Sequence, residues 1–321
     1  MIKALPYLTL SCLLILLPGC SGSRQYNNVV KELYVHKYGV PVVKSDWENQ
    51  GKDGKVVQLR KDGVTAALSF SKGILHGETT FTFPNTSTIH LIETYDQGEL
   101  VARRENYTSG VPMREEVYEQ QTLIALTQWY EDGTPSVTET YQNELLQNGE
   151  YRTQLNVVES SVRNGEGIRI CRNIESELIS KDTIQNGEMV EQVTYYTNGD
   201  PAMITPYEKG LIHGMRLTFL PGGLPKTVEQ WVEGAQEGIT IAYQNGEKVA
   251  EIPYLQGAKN GIEYRYRDET HLVEEISWKN NVQHGPRKIY VDGETKIEWF
   301  HQGELVSHAA YERLNAPKHP I

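Results

Sequence analysis

Tyr254-Leu-Gln-Gly257-Ala-Lys-Asn-Gly261-Ile-Glu-Tyr-Arg-Tyr-Arg267 holds one full copy of the pattern that organises this chain. An aromatic residue, two spacers and a glycine are followed by three residues and a second glycine. Beyond Gly261 the side chains alternate, with Ile262, Tyr264 and Tyr266 on one side and Glu263, Arg265 and Arg267 on the other. Period two with one apolar face describes a half-buried antiparallel strand. The glycines mark the reversals between such strands.

The same frame recurs at Tyr207-Glu-Lys-Gly210, Trp231-Val-Glu-Gly234, Trp278-Lys-Asn-Asn281 and Phe300-His-Gln-Gly303. A second mark stands halfway through each unit, at Phe219-Leu-Pro-Gly222, Tyr243-Gln-Asn-Gly246 and Tyr290-Val-Asp-Gly293. Upstream it returns at Tyr196-Thr-Asn-Gly199, Tyr130-Glu-Asp-Gly133 and Tyr107-Thr-Ser-Gly110. Self-similarity at a fixed period is the signature of repeat architecture, here about 11 units of about 23 residues over 51–303. Residues 145–183 keep the frame least regularly. A turn every dozen residues leaves strands of about five to seven.

This pattern resembles the MORN repeats, and most closely the bacterial MORN-like variant named for the YwqK antitoxins. The resemblance implies an all-β fold: an elongated, twisted, single-layer antiparallel sheet of consecutive hairpins. At roughly 4.8 Å between strands the body is expected to reach about 100 Å. Each hairpin then leans only on its neighbours, and caps are expected at the exposed end strands. Val30, Leu33, Tyr34 and Lys37 stand at near-helical spacing, which predicts a short helix closing the first repeat. Leu305 to Leu314 predicts a second helix at the other end. A compact β-barrel or sandwich is the alternative, and a sustained period argues against it.

The N-terminus reads differently. Lys3 precedes an apolar run from Tyr7 to Leu17, which fits a secretory signal over residues 1–19 and is too short to span a bilayer. Leu17-Pro18-Gly19-Cys20 resembles the lipobox of bacterial lipoproteins. That resemblance implies cleavage before Cys20, diacylglycerol on its sulfur and acylation of the new amino group, so the membrane is an expected partner. The same resemblance implies that Ser21 at the next position does not signal inner-membrane retention, so in a cell with two membranes the outer one is favoured. Residues 20–50 then read as tether and N-terminal cap, and residues 304–321 as C-terminal cap and tail. Beside Cys12 and Cys20 the chain has only Cys171. With Cys20 lipidated, Cys171 is expected as a small buried hydrophobe outside any intramolecular disulfide.

With 31 basic and 42 acidic side chains the net charge is −11. An acidic body repels phosphate backbones, so nucleic acid is not an expected partner. His76, His213 and His284 each precede the second glycine of a repeat, a slot that Asn260 and Glu237 fill in neighbouring units. That marks a turn position rather than a metal site. Tyr207, Trp231, Tyr254, Trp278 and Phe300 form an aromatic ladder that suits either stacking on an extended ligand or packing between hairpins. No nucleophile elbow, His-Glu-x-x-His pair, phosphate loop or paired-cysteine zinc pattern occurs. The expectation is therefore a non-enzyme without cofactor, metal or small-molecule substrate. It is read as an envelope-tethered module that binds a protein; an antitoxin or immunity protein is the alternative.

Overall fold

The computed structural model describes residues 28–173 and 175–316. The signal segment and Cys20 lie outside the described residues. What is described is all-β: 29 strands ordered along one open antiparallel sheet, with two short helices, Lys44–Asn49 and His308–Asn315. No helix among the described residues is long and apolar enough to cross a membrane.

The chain divides into two compact units. In each, strands follow one another as hairpins. In the N-terminal unit, Ile89–Asp96 pairs with Glu99–Asn106, which pairs with Pro112–Glu119 and so on. In the C-terminal unit, Gly238–Gln244 pairs with Glu247–Leu255, and Gly261–Arg267 with His271–Lys279. Two kinds of reversal alternate. At the aromatic-x-x-Gly mark both turn residues have positive φ, as in Gln256 at 51° and Gly257 at 79°. That is the two-residue turn whose twist matches the strands it joins. At most of the halfway marks the loop has three residues, closed by bonds such as Gly133 N–H to Tyr130 O (2.9 Å) and Tyr130 N–H to Thr134 O (2.9 Å). At Leu220 the closing glycine is Gly223, one beyond the expected Gly222.

Three expectations need correction. The segment read as a helix around Val30–Lys37 is the strand Val29–His36, paired with Gly54–Arg60. Eight residues are too few for a spacing pattern to separate helix from strand, and the β-branched pair Val29-Val30 favours the strand. The helix of this region is instead Lys44–Asn49, whose Trp47 is buried against Tyr34 (5.8 Å) and Phe70 (6.3 Å). Residues 145–183 keep the hairpin pattern despite their irregular sequence, and they contain much of what is most buried: Tyr151, Val162, Ile170 and Asp182. Finally, Cys171 is buried as expected, with Sγ 3.7 Å from Asp182 Oδ2, but it is disulfide-bonded.

Candidate interaction faces

A residue with a hydrogen-bond acceptor precedes the second glycine of most repeats, and the structure gives its task. Asp53 Oδ1 accepts the backbone N–H of Lys72, the first residue of the next two-residue turn, at 2.5 Å. Asn148 Oδ1 does the same for Asn164 at 3.3 Å and Glu166 Oε1 for Asn186 at 2.9 Å. His76, His213 and His284 use Nδ1 on Gln97, Glu233 and Gln302 at 3.4–3.5 Å. The second turn residue is held as well, as when Gly257 N–H donates to Gln236 O at 2.9 Å. Successive turns are therefore stapled, and the three histidines belong to that stapling. Any acceptor suffices, which is why Asp, Asn, Glu and His interchange in one slot.

Two consecutive turns, Gln120-Gln121 and Asn143-Glu144, carry no such bond among the described residues. Val101 and Ile124, the extra residues at the corresponding register shifts, have no acceptor to offer. A shallow cleft of about 560 Å³ opens beside these turns, lined by Ile124 and Tyr141 among others.

Four of the five ladder residues sit opposite second glycines, whereas Tyr207 pairs with Ile212. Trp231 pairs with Gly214, Tyr254 with Gly238, Trp278 with Gly261 and Phe300 with Gly285. Phe70 with Gly54 and Tyr95 with Gly77 extend the rule to the N-terminal unit. An aromatic ring across from a glycine covers backbone that no side chain would shield. The ladder lies on the same face as the buried acids. Trp231 Nε1 donates to Glu229 Oε2 (2.9 Å) and Trp278 Nε1 to Glu263 Oε2 (2.9 Å). Arg216 lies 4.3 Å over Trp231 and Lys259 lies 4.6 Å over Trp278. Tyrosines make the equivalent contact in the N-terminal unit, where Tyr95 donates to Glu93 (2.8 Å) and Tyr118 to Glu116 (2.7 Å). Burial, then the bond to Glu93, pushes the Tyr95 hydroxyl up to about 12. A Glu-x-Tyr/Trp pattern in the sequence carried this signal and was missed.

The covered face is the reverse of the one that alternation suggested. Glu263 is 1% exposed, whereas Ile262 beside it is 42% exposed. Glu263 belongs to a chain of ion pairs that crosses four strands. Lys259 and Arg265 hold Glu263 (3.1 and 2.8 Å), Arg265 and Arg287 hold Glu274 (3.2 and 2.5 Å), and Arg287 and Lys296 hold Glu298 (3.4 and 2.7 Å). Long side chains lying flat, with the ladder rings, cover this side of a single layer. On the opposite side Met215 is 57% and Ile239 is 50% exposed.

No known protein family matches the chain, and no curated protein is similar to it. Among solved structures, the crystal structure of TcdB2-TccC3 is similar over 83% of this chain at 14% identity and a TM-score of 0.23, and the chain spans 17% of that protein's length. A porin-like protein from Bacteroides uniformis is similar over 83% of this chain and 92% of its own at 9% identity and a TM-score of 0.15.

Proposed function

We propose that this chain is a non-catalytic interaction module, tethered to the cell envelope by a lipid on Cys20 and built of MORN-like repeats. The observation that carries the reading is how the two sides of the sheet use their side chains. The ionisable groups of the ladder side are engaged with one another, as in the chain from Lys259 to Lys296. The other side of the C-terminal unit leaves apolar side chains in water at fixed positions, the usual mark of a surface that meets another macromolecule. The lipobox-like Leu17-Pro18-Gly19-Cys20 supports the tether, and Ser21 favours the outer membrane. Two or three acyl chains hold a protein on a bilayer where one does not, since each buried methylene contributes about 0.8 kcal/mol.

Metabolic fatty-acid labelling with membrane fractionation tests the tether. The native chain takes up label and sediments with envelopes, whereas Cys20→Ser accumulates unprocessed or soluble and unlabelled. Membrane retention of Cys20→Ser without label refutes the anchor, and so does peptide mapping that finds Cys20 in a disulfide with Cys171. Crosslinking of intact envelopes tests the module, which predicts discrete adducts with protein.

A further inference from the structure

On the exposed side of the C-terminal unit, one residue from each long strand joins a lane that carries no charge. Three register pairs form its centre: Met215 with Gln230, Ile239 with Pro253, and Ile262 with Ser277. Directly paired residues share a face. Between the pairs stand the second glycines, and the preceding lane residue lies over each. A Cβ on Gly214 would stand 3.2 Å from Pro206, one on Gly238 3.7 Å from Gln230, and one on Gly261 3.2 Å from Pro253. The lane ends on the pair Pro286 with Trp299. It thus runs from the strand Pro201–Glu208 to the strand Glu294–His301 without a break and without an ionisable group.

The slot that follows the second glycine shows that this is no property of the repeat itself. In the N-terminal unit that slot holds Lys55, Glu78 and Glu150, with Ile168 the apolar exception; in the C-terminal unit it holds Met215, Ile239, Ile262 and Pro286. One backbone position is mostly charged in one unit and apolar in the other, where Met215, Ile239 and Ile262 are exposed.

The last stretch of the lane is already covered, by a helix. His308–Asn315, capped by Ser307 Oγ accepting the N–H of Ala310 at 3.2 Å, sets His308 4.3 Å and Tyr311 4.9 Å from Trp299. The Tyr311 hydroxyl comes within 3.8 Å of the Cβ position of Gly285. We infer that the uncovered remainder of the lane is a docking surface for an amphipathic helix of a partner protein, laid across the strands in continuation of His308–Asn315. This rests on the module reading above.

Spacing selects the occupant. Met215, Ile239 and Ile262 lie two strands apart, about 9.6 Å at the usual strand separation. A helix presents residues i and i+7 about 10.5 Å apart, and i and i+3 or i+4 about 5 Å apart, which matches the intervening strands. An extended peptide faces one side every ~6.8 Å and falls out of step after one anchor. A helix that spans the lane needs apolar residues at heptad spacing over about three turns of the repeat.

The test uses the full mature chain in detergent and a labelled 25-residue peptide with leucines at i, i+7 and i+14, followed by fluorescence anisotropy. A peptide of equal composition with its leucines at alternate positions serves as control. The heptad peptide is expected to bind saturably, about tenfold or more weakly to Ile239→Lys and to Ile262→Lys, and unchanged to Val158→Lys in the N-terminal unit. Both lane positions are half-exposed, so these variants fold. Equal binding of the two peptides, or indifference to the lane substitutions, overturns the proposal. In cells, a photo-crosslinker at Ile239 is expected to yield an adduct that maps to a helical segment of another protein. An adduct with a second copy or with lipid overturns the helix. Adducts at Trp231 but not at Ile239 sink the lane and leave the module standing, and adducts at neither sink both.

Discussion

Oε1 of Glu237 accepts the backbone N–H of Gln256 at 2.8 Å, joining one hairpin to the first residue of the following turn. Each such bond satisfies a donor that a two-residue turn would otherwise leave to solvent, and it fixes the spacing between neighbouring reversals.

The requirement is for an acceptor, not for a particular residue. Glu237→Gln keeps the carbonyl oxygen and is expected to change stability by less than about 0.5 kcal/mol, while Glu237→Leu loses about 1 kcal/mol. His213→Asn and His213→Leu should divide in the same way. Urea denaturation midpoints compare the four variants, and equal loss from Gln and Leu would show that the slot is filled for packing alone.

Glycine matters unequally along the chain. Gly167 has φ +144°, and a Cβ there would stand 2.2 Å from the Ser161 carbonyl oxygen. Gly293 has φ +84° with nothing within 4 Å. Gly167→Ala is expected to cost more than about 3 kcal/mol through displaced backbone, and Gly293→Ala about 1 kcal/mol from conformation alone. Thermal melts that rank the two variants equally would contradict this geometry.

Glu263 is buried and receives Trp278 Nε1, Lys259 Nζ and Arg265 Nε. Glu263→Leu strands those donors, yet Arg265 and Lys259 are 46% and 26% exposed and can turn to water. The expected loss is therefore about 2 kcal/mol rather than the larger figure for a sealed ion pair. A denaturation midpoint unchanged in Glu263→Leu would show that this network adds nothing.

The strands and reversals were legible because glycine, asparagine and aromatic residues recur at fixed intervals, and each interval has one backbone solution. Which side is covered was not legible. Alternation places Ile262 opposite Glu263 but does not reveal that Lys259, Arg265 and Trp278 fold over the acid, since a covering made of long side chains has no apolar signature. The ladder could be found from spacing. Its bonding to glutamates two residues earlier on the same strand, as in Glu229 and Trp231, lay in a pair that reads separately as charge and as core.

Proton loss from tyrosines at high pH and proton uptake by carboxylates at low pH should each destabilise the chain. Burial and the bonds to Glu32 and Glu93 push Tyr34 and Tyr95 up to about 12, above the ordinary value near 10. Their contribution is whole below about pH 10 and disappears as pH rises through 12. Glu116 and Glu263 are pushed up by burial but held low on balance, Glu116 by Tyr118 and Arg114, and Glu263 by Arg265 and Lys259. Bonds from Lys248 and Tyr290 likewise lower Glu251 and Glu275. What these acids add is present above the ordinary carboxylate range, about 4.3, and vanishes as pH falls through their lower folded values. Stability measured against pH should show a plateau between those limits, and tyrosinate absorbance should rise late for the bonded rings. Full tyrosine ionisation near pH 10 in the folded chain would refute the Glu–Tyr pairs.

A row of links parts where two neighbouring rivets are missing. At Gln120-Gln121 and Asn143-Glu144 the fasteners that recur elsewhere give way to Val101 and Ile124, so among the inner reversals thermal breathing has its natural starting place there. Deuterium should enter the amides of these two reversals ahead of those at Gln256-Gly257, and a protease offered the native chain should nick this seam first.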